Sequence, residues 1–299
     1  MKFGTKIKYQ LLLLICRMVG ILPSWFLYNC LLYVIYFFAY KVLRYRVEIV
    51  RGNLARSFPE KTERERRRIE KRFYLHLSEV MLDAIDIVSI SASQMRKRII
   101  FEGSEQHEVE VAGKNWIGAL GHYGSWEYFA AYKFYTRSQS VGVYKPLHDE
   151  AFDRLYFYAR SRFGSKPVAM HDLLRFVVAN KDNPDQTFLL GMVSDQTPPP
   201  SDKPHWFKFL NQDTAFFMGM EKLALKFGMP VYYVHMKKLA KRRYKTTFDM
   251  IYDGREKVEE GVITGRYAAR LEEDIRAVPE LWIWSHRRWK HRMKPAKTE

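Results

Sequence analysis

The sequence predicts an α/β fold: a mixed sheet flanked by helices, preceded by an N-terminal membrane-associated helix. Three observations carry this expectation. Short apolar runs of strand length alternate with stretches whose apolar residues recur every three or four positions, the pattern of a sheet covered by helices on both faces. From Tyr9 to Tyr40 the only charge is Arg17. No internal repeat and no Gly/Ser-rich linker breaks the 299 residues.

The N-terminal segment has two apolar cores, "LLLLIC" and "WFLYNCLLYVIYFFAY", interrupted around Gly20 and Pro23. Lys2, Lys6 and Lys8 precede them and Lys41, Arg44 and Arg46 follow. A membrane-spanning helix needs ~20 apolar residues. Neither core reaches that length alone, and together they exceed it. Three readings compete: one tilted span, a re-entrant hairpin, or a helix lying in the interface. A buried core helix is the bland alternative, and basic flanks on both sides count against it. No small-residue cleavage site follows the run, so a removed signal peptide is not expected. Positive charge on both sides leaves orientation open.

Next, Thr62-Glu63-Arg64-Glu65 fits a capping box. The helix it starts carries Ile69, Phe73, Leu77, Val80 and Ala84 as an apolar stripe, which makes "ERERRRIEKR" its solvated face. "WIGAL" reads as a strand, with a helix after Glu127. "SVGVYKPL" is a strand, and Glu150 to Phe163 a helix with Phe152, Leu155, Tyr156 and Ala159 on one side. "TFLLGMVSD" has the near-continuous apolarity of a strand buried on both faces. Asp213 or Thr214 is expected to cap a helix to Phe227, ended by Gly228. "PVYYVHM" and "YKTTFDMIY" are further strands. Thr264 to Val278 is a helix stopped by Pro279. "SDQTPPPSDKPHW" is too rich in proline for a regular element and is read as a functional loop.

Composition narrows the chemistry. Lys+Arg number 50 against 33 Asp+Glu, a formal charge of +17, which calls for an anionic partner: nucleic acid, an acidic protein, or a phosphate-bearing membrane surface. The only cysteines are Cys16 and Cys30, so no disulfide framework is indicated. The absence of CxxC, HExxH and Cys/His clusters argues against a metal site. There is no Walker A motif, no GxSxG and no dinucleotide fingerprint, and no cofactor is expected.

The stretch "GALGHYGSWE" supplies the main candidate. It sets His122 in a glycine-rich turn at the carboxyl end of a strand, where parallel sheets bind ligands. Glu127 stands in position to reach back to one ring nitrogen, leaving the other free as a base. A histidine satisfied by local backbone is the plainer reading of such a pair taken alone. Lys145 ends the next strand and is a candidate to hold a phosphate or an oxyanion, against the alternative of a solvated lysine. Arg160 and Arg162 close the following helix. Asp195, ending the third strand, either orients a nearby basic residue or caps its turn. Near the C-terminus "LWIWSHRRWKHRMK" alternates Trp with basic residues. In a membrane enzyme this suggests Trp at the headgroup level with Arg and Lys on phosphates, and in a nucleic-acid protein stacking plus phosphate contacts. The apolar N-terminus favours the first. His286, among the charges, shows no ligand partner.

In order along the chain, "RGNLARSFPEKTERER", "GHYGSWE", "VYKPL", "FDRLYFYARSRFG", "VSDQTPPP", "NQDTAFFMGMEKLALKFGMPV" and "PELWIWSHRRWK" resemble the lipid A late acyltransferases, the lauroyl/myristoyl transferases of Gram-negative bacteria. The resemblance runs through Lys290, and its details look most like versions from the Bacteroidetes lineage. It implies a glycerolipid acyltransferase-like fold, with residues 1–47 as membrane anchor and 48–299 as acyltransferase domain. It also implies an enzyme at the cytoplasmic face of the inner membrane, moving an acyl chain from acyl carrier protein to the hydroxyl of a 3-hydroxyacyl group on a lipid A precursor. His122 and Glu127 match the family's catalytic pair, and Arg160 and Asp195 fall in motifs regarded as part of the site. Ser125 departs from the frequent asparagine of GNWE, which bears on the hydrogen bonding of the turn. The expected mechanism has His122 as base, Glu127 polarising it, and Lys145, Arg160 or turn amides on the oxyanion. Rival readings are transfer to a lysophospholipid, aminolipid or other glycolipid, and a non-catalytic basic protein binding membranes or nucleic acid.

Overall fold

Each of the five apolar runs read as strands pairs into one sheet in the computed structural model, which describes residues 3–199 and 205–290. The strands are β1 (Ile99–Phe101), β2 (Trp116–Leu120), β3 (Gln139–Tyr144), β4 (Lys166–Ala169), β5 (Phe188–Val193), β6 (His205–Phe209), β7 (Gln212–Phe216), β8 (Val231–Ala240) and β9 (Arg243–Tyr252). Seven of them form a sheet in the order β1-β9-β8-β2-β5-β3-β4. Its pairings are parallel except β8 with β9, a hairpin. Every residue of β2 is buried, and β5 is buried from Phe188 to Met192, as expected of central strands covered on both faces.

Helices cover the sheet. The capping box at Thr62 forms, with the hydroxyl accepting from Glu65 N–H, and starts a helix over Glu63–Asp86. Its buried side holds Ile69, Phe73 and Leu82, and also Glu70, His76, Glu79, Asp83 and Asp86, so the apolar stripe shares its face with acids. Further helices span Glu150–Ser161, Gly219–Phe227 and Val262–Ala277. Gly228 takes the left-handed conformation that ends the second of these, Gly219–Phe227.

Two expectations need correcting. Asp213 and Thr214 cap no helix; they lie in β7, paired with β6 as a separate two-stranded sheet. The hairpin turns at Leu210 and Asn211, both with positive φ (51° and 64°), the geometry of a two-residue primed turn built without glycine. The segment after Ser125 is a 3₁₀ helix, Trp126–Phe134. Residues 200–204 of the proline-rich loop and Lys2 lie outside the described residues.

The N-terminal segment folds as two helices, Phe3–Ile21 and Ser24–Val42, joined at Leu22–Pro23. The second is long and apolar enough to cross a membrane. The first packs along the helices Glu150–Ser161 and Glu63–Asp86, and the second along Glu63–Asp86. Both leave large apolar side chains in the open, among them Phe3, Ile7, Leu11, Trp25, Phe37 and Phe38.

Candidate active site

The site begins with sheet register. Parallel pairing of β2 with β5 sets Trp116 against Leu189 and Leu120 against Val193. Continuing the two chains at the same offset brings His122 level with Asp195. The side chains meet there: His122 Nδ1 lies 2.6 Å from Asp195 Oδ1. The other carboxylate oxygen accepts the His122 backbone N–H at 2.9 Å and the Trp282 indole N–H at 2.8 Å. Burial alone raises the pKa of a carboxyl. Here the imidazole and the three hydrogen bonds outweigh it and hold Asp195 down to about 2.

With Asp195 as acceptor, Nδ1 carries the proton and Nε2 presents a lone pair. Nε2 lies 3.1 Å from the Gln196 side-chain amide nitrogen, which donates to it. This corrects the expected partnership, because the acid on the ring is Asp195 and not Glu127. Glu127 sits in the first turn of the 3₁₀ helix, where its carboxylate faces the helix Glu150–Ser161. It takes a bidentate pair from Arg160, Nε to Oε2 at 2.8 Å and Nη2 to Oε1 at 2.6 Å. Although burial opposes it, the Arg160 charge holds the Glu127 carboxyl below its usual range. Arg160 is itself flanked by the rings of Tyr144 and Tyr156, 5.6 and 5.4 Å from the guanidinium carbon. Trp126 packs edge-on against the His122 ring, with centroids 4.9 Å apart.

His122, Glu127, Arg160 and Asp195 therefore converge as two adjoining pairs. Lys145 does not join them: it is exposed, and no hydrogen bond or ion pair among the described residues ties it to the site. Arg162 points elsewhere, donating to the backbone carbonyl of Ile90 at 2.8 Å. Gln196 and Trp282 are additions that the sequence did not reveal. The only hint of Gln196 was its place beside Asp195.

The C-terminal Trp-basic run is also corrected. Trp282 and Trp284 are 1% and 0% exposed, so they belong to the core and not to a headgroup belt. Trp284 donates to Pro279 O and Trp289 to Thr214 Oγ1, and the Arg288 guanidinium is buried over the Phe216 ring. Burial lowers the pKa of His286 to about 4, and its Nε2 accepts from Thr197 N–H.

Glycines permit the turn. A Cβ on Gly121 would come within 2.6 Å of Leu271 Cδ1, and Gly124 has φ +63° with the Met236 sulfur 2.8 Å from such an atom. Gly124→Ala is expected to destabilise the fold by ~1–2 kcal/mol for the left-handed backbone alone, with the Met236 contact adding to it. Thermal melting checks this. An unchanged Tm contradicts the strained geometry.

An imidazole held at Nδ1 by a buried carboxylate, with Nε2 left to accept, is the arrangement of a general base. The chain belongs to the bacterial lipid A biosynthesis acyltransferases, whose family model matches residues 4–291. It is an acyltransferase. Among solved structures it is similar to the 1-acyl-sn-glycerophosphate (LPA) acyltransferase PlsC from Thermotoga maritima. That match is 16% identical, covers 85% of this chain and 95% of that one, and has a TM-score of 0.36. A search of curated proteins finds no match. Two surface cavities of ≈ 360 Å³ lie away from His122, one beside Asn115 and Lys226 and one beside Phe207 and Arg276.

Proposed function

We propose that the protein transfers a fatty acyl chain from acyl carrier protein to the hydroxyl of a 3-hydroxyacyl group on a lipid A precursor. The work is done at the cytoplasmic face of the inner membrane. The observation that carries this reading, within the family, is the 2.6 Å contact between His122 Nδ1 and Asp195, which leaves Nε2 as the free base.

In this mechanism the acceptor hydroxyl displaces the Gln196 amide from Nε2. As His122 takes its proton, the oxygen attacks the thioester carbonyl carbon. Asp195 stabilises the imidazolium. The tetrahedral oxyanion collapses, the carbon–sulfur bond breaks, and the leaving sulfur takes the proton back from Nε2. Products are an ester and a free thiol, with no acyl-enzyme. Arg160 is the candidate for the oxyanion, because Nε and Nη2 are spent on Glu127 while Nη1 makes no hydrogen bond among the described residues. Glu127 then acts by aiming Arg160. Lys145, exposed near the same strand ends, is a candidate for the acceptor's phosphate.

Several features support a membrane setting. Exposed apolar side chains line both N-terminal helices, and Lys6, Arg44 and Arg46 are exposed near their ends. Apolar burial plus basic charge is the two-signal attachment that stable membrane binding needs. The net charge of +17 suits an acidic carrier protein and a phosphorylated lipid. A buried aspartate fixing a histidine has no use in a merely basic coat, which counts against a nucleic-acid binder.

The test is a product assay with acyl-loaded carrier protein and purified acceptors: lipid A precursor, lysophospholipid, aminolipid and glycolipid. Transfer to the lipid A precursor is expected to dominate. Preferential acylation of another acceptor replaces that substrate. In the same assay Glu127→Gln, which keeps the size of the side chain but removes the negative charge paired with Arg160, is expected to lower kcat by about tenfold or more. An unchanged kcat removes Glu127 from the mechanism.

A further inference from the structure

The turn that carries His122 is fastened from several elements, and one fastening leads out of the site. His122 N–H is held by Asp195 after β5, Gly124 N–H by Leu281 O at 3.0 Å, and Glu127 by Arg160. Between them the Ser125 hydroxyl donates to Asp83 Oδ2 at 3.0 Å. The other oxygen, Asp83 Oδ1, accepts the hydroxyl of Tyr28, from the helix Ser24–Val42, at 2.7 Å. Asp83, Ser125 and Tyr28 are all buried. The Arg242 guanidinium lies 4.1 Å over the Tyr28 ring, and Leu27, Tyr28 and Leu32 pack with Leu82, so the phenol moves with its helix.

We propose that Asp83 is a positioning residue for acyl transfer, tying the His122–Glu127 turn through Ser125 to the N-terminal apolar helix through Tyr28. This rests on the acyl-transfer reading above. The neighbouring acids Glu79 and Asp86 pair with Lys238, Arg98 and Arg242, but Asp83 makes no salt bridge among the described residues. Burial, with the Glu79 charge, raises the pKa of its carboxyl to about 6. A side chain that is costly to ionise is thus kept where a leucine would pack. What it provides there is a shared acceptor for hydroxyls on two elements that do not otherwise meet through side-chain hydrogen bonds. Seating of the helix against Glu63–Asp86 is thereby felt at a residue three positions from the base.

The test uses the full chain in phospholipid–detergent micelles and the variants Tyr28→Phe, Asp83→Asn and Ser125→Ala, with Ser125→Thr as the conservative control that keeps the hydroxyl. Tyr28→Phe removes one oxygen far in sequence from the turn. It is expected to speed amide hydrogen exchange in the peptide spanning 120–128 and to lower kcat about tenfold with KM within about twofold. A misplaced base costs rate before binding, and a 1 Å shift can cost about a hundredfold. Ser125→Thr should restore the rate lost in Ser125→Ala. Wild-type exchange of the turn in Tyr28→Phe and Asp83→Asn overturns the proposal, as does a loss confined to KM. If the wild-type chain transfers no acyl group, the functional reading fails, while the exchange measurement still decides whether the link exists.

Discussion

Purified His122→Ala is expected to transfer acyl groups about 10²–10⁴-fold more slowly than wild type, the usual contribution of a positioned general base. The loss should appear in kcat, because the imidazole acts on a proton in flight and adds little ground-state binding. The fold should survive. Asp195 keeps two of its donors, the residue-122 backbone N–H and the Trp282 indole, so the buried carboxylate is not stranded. Steady-state kinetics per folded molecule, with far-UV circular dichroism as control, reads the outcome. A wild-type kcat means that another group takes the proton.

Asp195→Asn is expected to be nearly as severe, for a different reason. One carboxylate oxygen already accepts two N–H donors, so the carboxamide oxygen will settle there. The NH₂ group then faces Nδ1 as a donor. Nδ1 must become an acceptor, which moves the ring proton to Nε2 and removes the lone pair that acts as base. Wrong-tautomer substitutions of this kind in a serine-protease triad cost about 10⁴ in kcat. Stability falls as well. The native Asp195 carboxyl is held at about 2, below its ordinary value of 3.8. Its contribution, ~2–3 kcal/mol, is present above the ordinary value and is lost as pH falls toward 2. The variant should therefore melt lower than wild type near neutral pH, with the gap closing in acid. A gap that is constant with pH contradicts the ionised dyad.

Much of this site was legible before the fold was known. His122 and Asp195 were marked because polar residues ending apolar strands of a parallel sheet share one edge. Arg160 was marked by resemblance. The pairing was not legible. Glu127 lies five positions from His122 and was the natural partner in sequence. The true partner, Asp195, lies two residues past the end of β5, and only strand order and register bring it to the ring. The same limit explains the C-terminal tryptophans, whose alternation with Arg and Lys looked amphipathic. Their burial depends on Phe209, Phe58 and Asp195, all remote in sequence. The β6–β7 hairpin escaped because Leu210 and Asn211 make its turn without the Asn-Gly or Asp-Gly that marks one. The capping box at Thr62 and the Gly228 stop are local chemistry and were read directly. The N-terminal break at Pro23 was equally local.

The proposed role of His122, oriented by Asp195, is that of the base in acyl transfer to a lipid A precursor. The most direct measurement is mass spectrometry of lipid A from cells lacking the gene, complemented either by the wild-type chain or by His122→Ala at equal expression. The account predicts that one secondary acyl chain is missing without the gene, returns with wild type, and stays missing with His122→Ala. Full restoration of that chain by His122→Ala, or lipid A that is the same with and without the gene, contradicts it.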